Sequence, residues 1–157
     1  MQQMIHGTAI SIDGHAVLIM GESGSGKSDL ALRLIDRGAI LISDDIVFLE
    51  THDNAPMLTV APNIAGKIEV RGVGIFNVDF LASAPLRLVV EFVDAPDRLP
   101  DENARATIGD YFVPVSKLNP FEQSSAIKVE YALRAIVESG AWPTFTSAVA
   151  EKEGLPS

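Results

Sequence analysis

The sequence predicts an α/β fold with a mixed sheet built around a phosphate-binding loop. Three observations lead there. An apolar run, Ala16–Met20 (AVLIM), enters the stretch GESGSGKSD at Gly21–Asp29, and DLALRLID at Asp29–Asp36 leaves it with helical periodicity. Asp13-Gly14 sits between the apolar runs Met4–Ile12 and His15–Met20, a strong hairpin signal that gives the strand feeding the loop an antiparallel partner. Further apolar runs at Ala39–Ile42 and Arg87–Val93 read as buried strands.

The loop itself has the G-x-x-x-x-G-K-[ST] spacing, with Gly21, Gly26, Lys27 and Ser28 in the required positions. Residues Gly21, Glu22, Ser23, Gly24, Ser25, Gly26, Lys27 and Ser28 are thus the candidate phosphate cradle. Glycines let backbone N–H groups turn inward around an anion. Lys27 offers a compact positive charge, and Ser28 a hydroxyl able to hold Mg²⁺. The helix that follows points its positive dipole end at the same place.

The chain's 157 residues suit one domain, 1–157. Hydrophobic content of 47% and charged content of 21% fit a globular protein. A net charge of −9, without a run of Lys or Arg, argues against nucleic-acid or anionic-membrane partners. The apolar segments are too short for a membrane span, no leader opens the chain, and no cysteine is present for a disulfide or thiolate site. The expected location is the cytoplasm.

In chain order, His6 opens the first β-like run, on the same side as Thr8, Ile10 and Ile12 by alternation. Arg37-Gly38 ends the first helix. The strand Ala39–Ile42 then delivers Ser43-Asp44-Asp45, carboxylates at the carboxyl end of a buried strand just beyond a phosphate loop. In extended backbone Asp44 and Asp45 face opposite ways and so have different tasks.

Ile46–Glu50 and Met57–Ala61 read as strands around THDNAP, with His52 on the surface. Gly66–Asp79 places Glu69 and Arg71 on one side of a short strand before Gly72 and Gly74. That pattern suits either a tight loop near a ligand or an amphipathic edge hairpin. The segment after Val93, DAPDRLPDE, reads as a surface loop. Tyr111–Val115, with its proline, reads as an edge strand. Asn119-Pro120-Phe121-Glu122 reads as a helix start, with Ala126, Val129, Leu133 and Ile136 as its apolar stripe to Gly140, a helix of about 120–139. Trp142–Ser157 reads as a partly ordered tail.

Four stretches in this order resemble the HPr kinase/phosphorylase catalytic domain: Ile5-His6-Gly7, GESGSGKS, Arg37-Gly38 through Ser43-Asp44-Asp45, and EVRGVGIFNV at Glu69–Val78, which is similar to the family's signature loop. The resemblance covers residues 5 to about 98. It implies an ATP- and Mg²⁺-dependent kinase of a serine on HPr, the phosphocarrier of the sugar phosphotransferase system. It also implies a fold similar to the nucleotide-binding domain of phosphoenolpyruvate carboxykinases, a homo-oligomer (hexamers are the family habit), and a short form without the family's N-terminal domain.

Residue by residue, the resemblance makes Lys27 the neutraliser of the β/γ-phosphates and Asp45 the base for the substrate serine. It makes Ser28 and Glu69 the Mg²⁺ ligands, Asp44 their support, His6 a neighbour of the base and Arg98 a stabiliser of the transferring phosphoryl group. Where many members carry a proline-valine-arginine-proline-glycine-arginine-asparagine run tied to dephosphorylation, this chain has VPVSKLNPFEQ at Val113–Gln123. The kinase reaction is therefore carried over more firmly than the phosphorylase one. The alternatives are a small-molecule kinase on the same scaffold and a nucleotide-binding regulatory module without transfer activity.

Overall fold

The computed structural model describes residues 2–146 and Gly154. The elements are β1 (Gln3–His6), β2 (Thr8–Ile12), β3 (His15–Met20), α1 (Lys27–Asp36), β4 (Ile40–Ser43), β5 (Ile46–His52) and β6 (Ala55–Val60). They continue with β7 (Lys67–Val70), β8 (Gly74–Asn77), β9 (Ser83–Phe92), β10 (Arg105–Ile108), β11 (Tyr111–Leu118), α2 (Ser125–Ser139) and β12 (Thr144–Phe145).

The sheet is mixed, as the Asp13-Gly14 turn predicts: β2 and β3 pair antiparallel from Thr8↔Ile19 to Ile12↔His15, and both turn residues have positive φ. The order β1-β5-β6-β9-β3-β2-β4 winds around the ten-residue β9. Its first third pairs with β6, its remainder with β3, and Val89–Phe92 also pair in parallel with β11. Strands β3, β9 and β11 are parallel, so their carboxyl ends meet on one side, where α/β sheets bind ligands.

Alternation along β3, and along β9 beyond a register shift between Leu86 and Leu88, builds two cores. Val17, Ile19, Leu88 and Val90 face the helices and pack with Leu30, Ala31 and Leu34 of α1 and with Val129 and Leu133 of α2. Ala16, Leu18, Leu86 and Val89 face the other way, against Val47, Leu49, Leu58 and Val113 of the curled outer strands. Each fully buried leucine at these positions is worth about 1.5–3 kcal/mol relative to an exposed one. Helix α1 ends as predicted, with the Gly38 N–H donating to the Ile35 carbonyl and Gly38 left-handed at φ +111°.

Several elements differ from the sequence expectation. Met4–Ile12 is not one strand: it breaks at Gly7, and β1 pairs with β5 while β2 pairs with β3 and β4. A β-carbon at Gly7 would meet Leu18 Cδ1 at 2.9 Å, so the chain steps between strands where a larger residue would displace the Leu18 side chain. His6 therefore lies on a different strand from Thr8. The outer hairpin β5–β6 is longer than expected and turns on Asp53-Asn54, both at positive φ.

Strand β11 is not an edge. It carries β10 and β12 antiparallel and β9 in parallel, and the parallel pairing begins at Val115, one residue past the donor-less Pro114. Helix α2 starts at Ser125 rather than near Pro120, because Asn119 Oδ1 accepts from the Phe121 N–H and closes a local turn first. The predicted tail contributes β12, and the rest of it, 147–153 and 155–157, lies outside the described residues. No helix among the described residues is long and apolar enough to cross a membrane.

At the end of the sheet away from the loop, Arg87 is 2% exposed. Its guanidinium lies 3.6 Å from the Trp142 ring centroid, donates to the Ala141 carbonyl at 2.9 Å and meets His15 Nδ1 at 3.3 Å. Burial, then the Arg87 charge, lowers the His15 pKa against a smaller raising effect of Asp13. A depressed histidine pKa means the unfolded chain binds the proton more tightly. This contribution is therefore complete above the unfolded value of about 6.5 and is lost as pH falls from there through the folded value. Urea unfolding at pH 7.5 and pH 5.5 is expected to give a lower midpoint at the acid pH, and His15→Gln should shrink the difference. An undiminished pH response in that variant would assign it to other groups.

Candidate active site

The turn from β3 into α1 is made possible by its glycines. Gly26 caps the helix at φ +106°, which side-chain-bearing residues avoid, and a β-carbon on Gly21 would fall 2.5 Å from Ser25 Oγ. Lys27, the first helical residue, is only 5% exposed. It curls back so that Nζ donates to the Glu22 carbonyl at 2.9 Å and lies 3.7 Å from Asp45 Oδ1. Arg71 reaches over from beyond β7 to the Gly24 carbonyl at 3.4 Å.

Asp44 is the hub. It is 7% exposed, and a carboxylate so placed requires donors in place of water. It has three. Thr8 Oγ1 donates to Oδ1 at 3.0 Å, Ser28 Oγ to the same oxygen at 2.6 Å, and the Glu69 N–H to Oδ2 at 3.1 Å. One side chain thus joins β2, the first turn of α1, β4's end and the β7–β8 hairpin.

Asp45 is 61% exposed at its side chain, beside Lys27, whereas Asp44 is buried; the difference does not come from strand alternation, because both residues lie past the end of β4 in a bend. The Asp45 backbone is unusual. The Ile46 N–H donates to the Asp44 carbonyl at 2.7 Å, which closes a three-residue γ-turn with Asp45 at the apex, at φ +65°. That positive-φ form is rare and strained, at a cost of about 1–3 kcal/mol. Neighbours hold it: the Gly7 N–H donates to the Asp45 carbonyl at 2.9 Å, and the Asp45 N–H donates to Thr8 Oγ1 at 3.1 Å.

The other predicted residues are placed less centrally. His6 is exposed and sits opposite Ile46 in the β1–β5 register, next to the turn, with no hydrogen bond to Asp45 among the described residues. Glu69 enters through its main chain, and its side chain is exposed. The segment Gly66–Asp79 forms a hairpin, β7–β8, that is a two-stranded sheet of its own rather than an edge of the main sheet; Arg71 reaches the Gly24 carbonyl from it, and the Glu69 N–H reaches Asp44. Arg98 lines a neighbouring cleft of about 450 Å³ with Asp97, Asp101, Ser116, Lys117 and Lys128, and no hydrogen bond ties it to the loop among the described residues. Sequence reasoning missed Thr8 as a site residue. Its signal was one of two hydroxyls, with Ser11, in a mostly apolar buried run, and buried hydroxyls must find partners.

A family model described as the HPr Serine kinase C-terminal domain matches residues 1–128. The chain belongs to the HPr serine kinase family. An HPr kinase/phosphorylase of Mycoplasmopsis pulmonis is 33% identical over 141 residues, which span 78% of this chain and 44% of that protein. One from Limosilactobacillus reuteri strain DSM 20016 is 35% identical over 153 residues, 89% of this chain and 46% of that protein. The chain therefore spans under half the length of these HPr kinase relatives. Among solved structures, the Hpr(Ser) kinase/phosphatase from Coxiella burnetii superposes with a TM-score of 0.73 at 28% identity, covering 88% of this chain and 92% of that one. The mixed α/β fold with its curled sheet is that of HPr kinase.

The oxygen donors fit a hard divalent cation. Ser28 Oγ and Asp44 Oδ1 already converge within 2.6 Å, and Mg²⁺ commonly takes one or two protein oxygens with its remaining ligands from phosphate and water. No cluster of three His, Cys, Asp or Glu side chains able to form a protein-only cage occurs among the described residues.

Proposed function

We propose that this chain is an ATP- and Mg²⁺-dependent kinase that phosphorylates a serine of an HPr-like phosphocarrier protein. The observation that carries the reading is the pairing of a buried, loop-bound carboxylate, Asp44, with an exposed one, Asp45, held 3.7 Å from Lys27 at the mouth of the loop. Phosphoryl transfer demands positioning and charge neutralisation more than covalent chemistry, and this arrangement supplies both. In the proposed roles, the main-chain N–H groups of Gly21–Ser28 and the Lys27 ammonium bind the β- and γ-phosphates.

Ser28, with Asp44 behind it and Glu69 beside it, would hold Mg²⁺, which supplies neutralisation of phosphate charge. The substrate serine Oγ attacks the γ-phosphorus, its proton passes to Asp45, and the bond from phosphorus to the ADP oxygen breaks. Arg98 would steady the transferring group from the neighbouring cleft and His6 would support Asp45. The likeness to phosphoenolpyruvate carboxykinases, a homo-oligomeric assembly and a cytoplasmic location belong to the same reading.

The test is radiolabel transfer from ATP to purified HPr beside a carrier whose acceptor serine is alanine. Label on the first alone is expected. Equal label on both, or on neither, overturns the substrate. Nucleotide binding by calorimetry without transfer to any carrier would favour the regulatory module instead.

A further inference from the structure

We infer that Thr8 is a positioning residue that sets the geometry of both site aspartates through a single hydroxyl. The inference rests on the kinase reading above for its catalytic consequence, and on the structure alone for its geometric one. Thr8 is fully buried, one residue past the Gly7 break. A buried hydroxyl has one proton to give and lone pairs to accept with, and Thr8 uses both capacities. Its Oγ1 donates to Asp44 Oδ1 at 3.0 Å and accepts from the Asp45 N–H at 3.1 Å.

The second bond is the telling one. Asp45 sits at the apex of the strained γ-turn, and a strained conformation persists only where its surroundings over-determine it. Two of the bonds that do so, from Gly7 and Ile46, are main chain to main chain and are available to any sequence here. Among the described residues two side chains bond this turn: Ser43 Oγ donates to the Ile46 carbonyl beyond the apex, and Thr8 Oγ1 accepts from the N–H of the apex itself. Thr8 Oγ1 also ties that turn to the Asp44 oxygen that Ser28 bonds, so the exposed carboxylate cannot relax without disturbing the loop's buried anchor. Valine has the same shape without the hydroxyl. Thr8→Val would leave the Asp45 N–H without its acceptor and Asp44 with two donors in place of three. Serine keeps the oxygen and loses only a methyl group.

The experiment compares wild type, Thr8→Val and Thr8→Ser. With HPr as acceptor, Thr8→Val is expected to lower kcat about 10–100-fold, the scale set by a misplaced reacting group, while KM for carrier and nucleotide stays within about threefold. Thr8→Ser should restore kcat to within about threefold of wild type. A merely structural residue would move nucleotide binding and kcat together, and a wild-type kcat in Thr8→Val overturns the inference outright. Amide hydrogen exchange supplies a readout independent of transfer: the Asp45 N–H should exchange about tenfold or more faster in Thr8→Val and not in Thr8→Ser, with β3 and β9 amides unchanged. If wild type labels no carrier, the kinase reading fails, and the exchange result still decides Thr8. Unaltered Asp45 protection in Thr8→Val rejects the positioning role whatever the substrate.

Discussion

Asp45→Asn is expected to cut serine phosphorylation by about 10²–10⁴-fold, the usual contribution of a positioned general base. The substitution isolates the chemistry unusually well at this position. Asparagine tolerates φ near +65° better than almost any residue other than glycine, so the turn apex should survive, with its N–H still on Thr8 and its carbonyl still on Gly7. The amide oxygen keeps the shape of the carboxylate but cannot take the serine proton. Removing the negative charge 3.7 Å from Lys27 also frees that ammonium for phosphate, so nucleotide affinity should hold or tighten. Single-turnover transfer with calorimetric nucleotide binding separates the two effects. Transfer at the wild-type rate would remove Asp45 from the base role, and loss of nucleotide binding would place it in the cradle instead.

The parts of this site that are local in sequence were legible there. The loop's glycines, Lys27 and Ser28 lie within eight residues, and the Asp13-Gly14 turn fixes the antiparallel partner, whereas the different exposures of Asp44 and Asp45 arise in a turn at φ +65° and not from the alternation expected of them. What escaped depends on long-range closure. Alternation assumes one continuous strand, so it placed His6 and Thr8 together. They lie on different strands, because the chain changes partner at Gly7, where a β-carbon would crowd Leu18 and Met20. Pro114 argued for an edge, yet β11 changes partner where the proline cannot donate. The Asn119 signal was real but was spent on a turn. Arg87 reads as a strand end, and only the fold reveals a cation buried between an imidazole and an indole.

Lys27→Met is expected to have two effects of opposite sign, and the pairing is what makes it informative. Lys27 is only 5% exposed, and among the described residues its ammonium meets one carbonyl at 2.9 Å and an exposed carboxylate at 3.7 Å. That is poor compensation for a desolvated charge. The free protein therefore bears a cost that a bound phosphate would relieve. Methionine fills nearly the same volume without the charge, so the unliganded variant should melt at or above the wild-type temperature.

The liganded comparison should reverse. A ligand at about 100 times its Kd adds about 2.7 kcal/mol, or about 5–10 °C for a domain of this size, and wild type with MgATP should show it. The variant should show almost none and should transfer no phosphate. A buried lysine kept for stability would give the opposite result, a lower unliganded melting temperature with the nucleotide shift intact. That outcome would take Lys27 out of the phosphate site and the kinase reading with it.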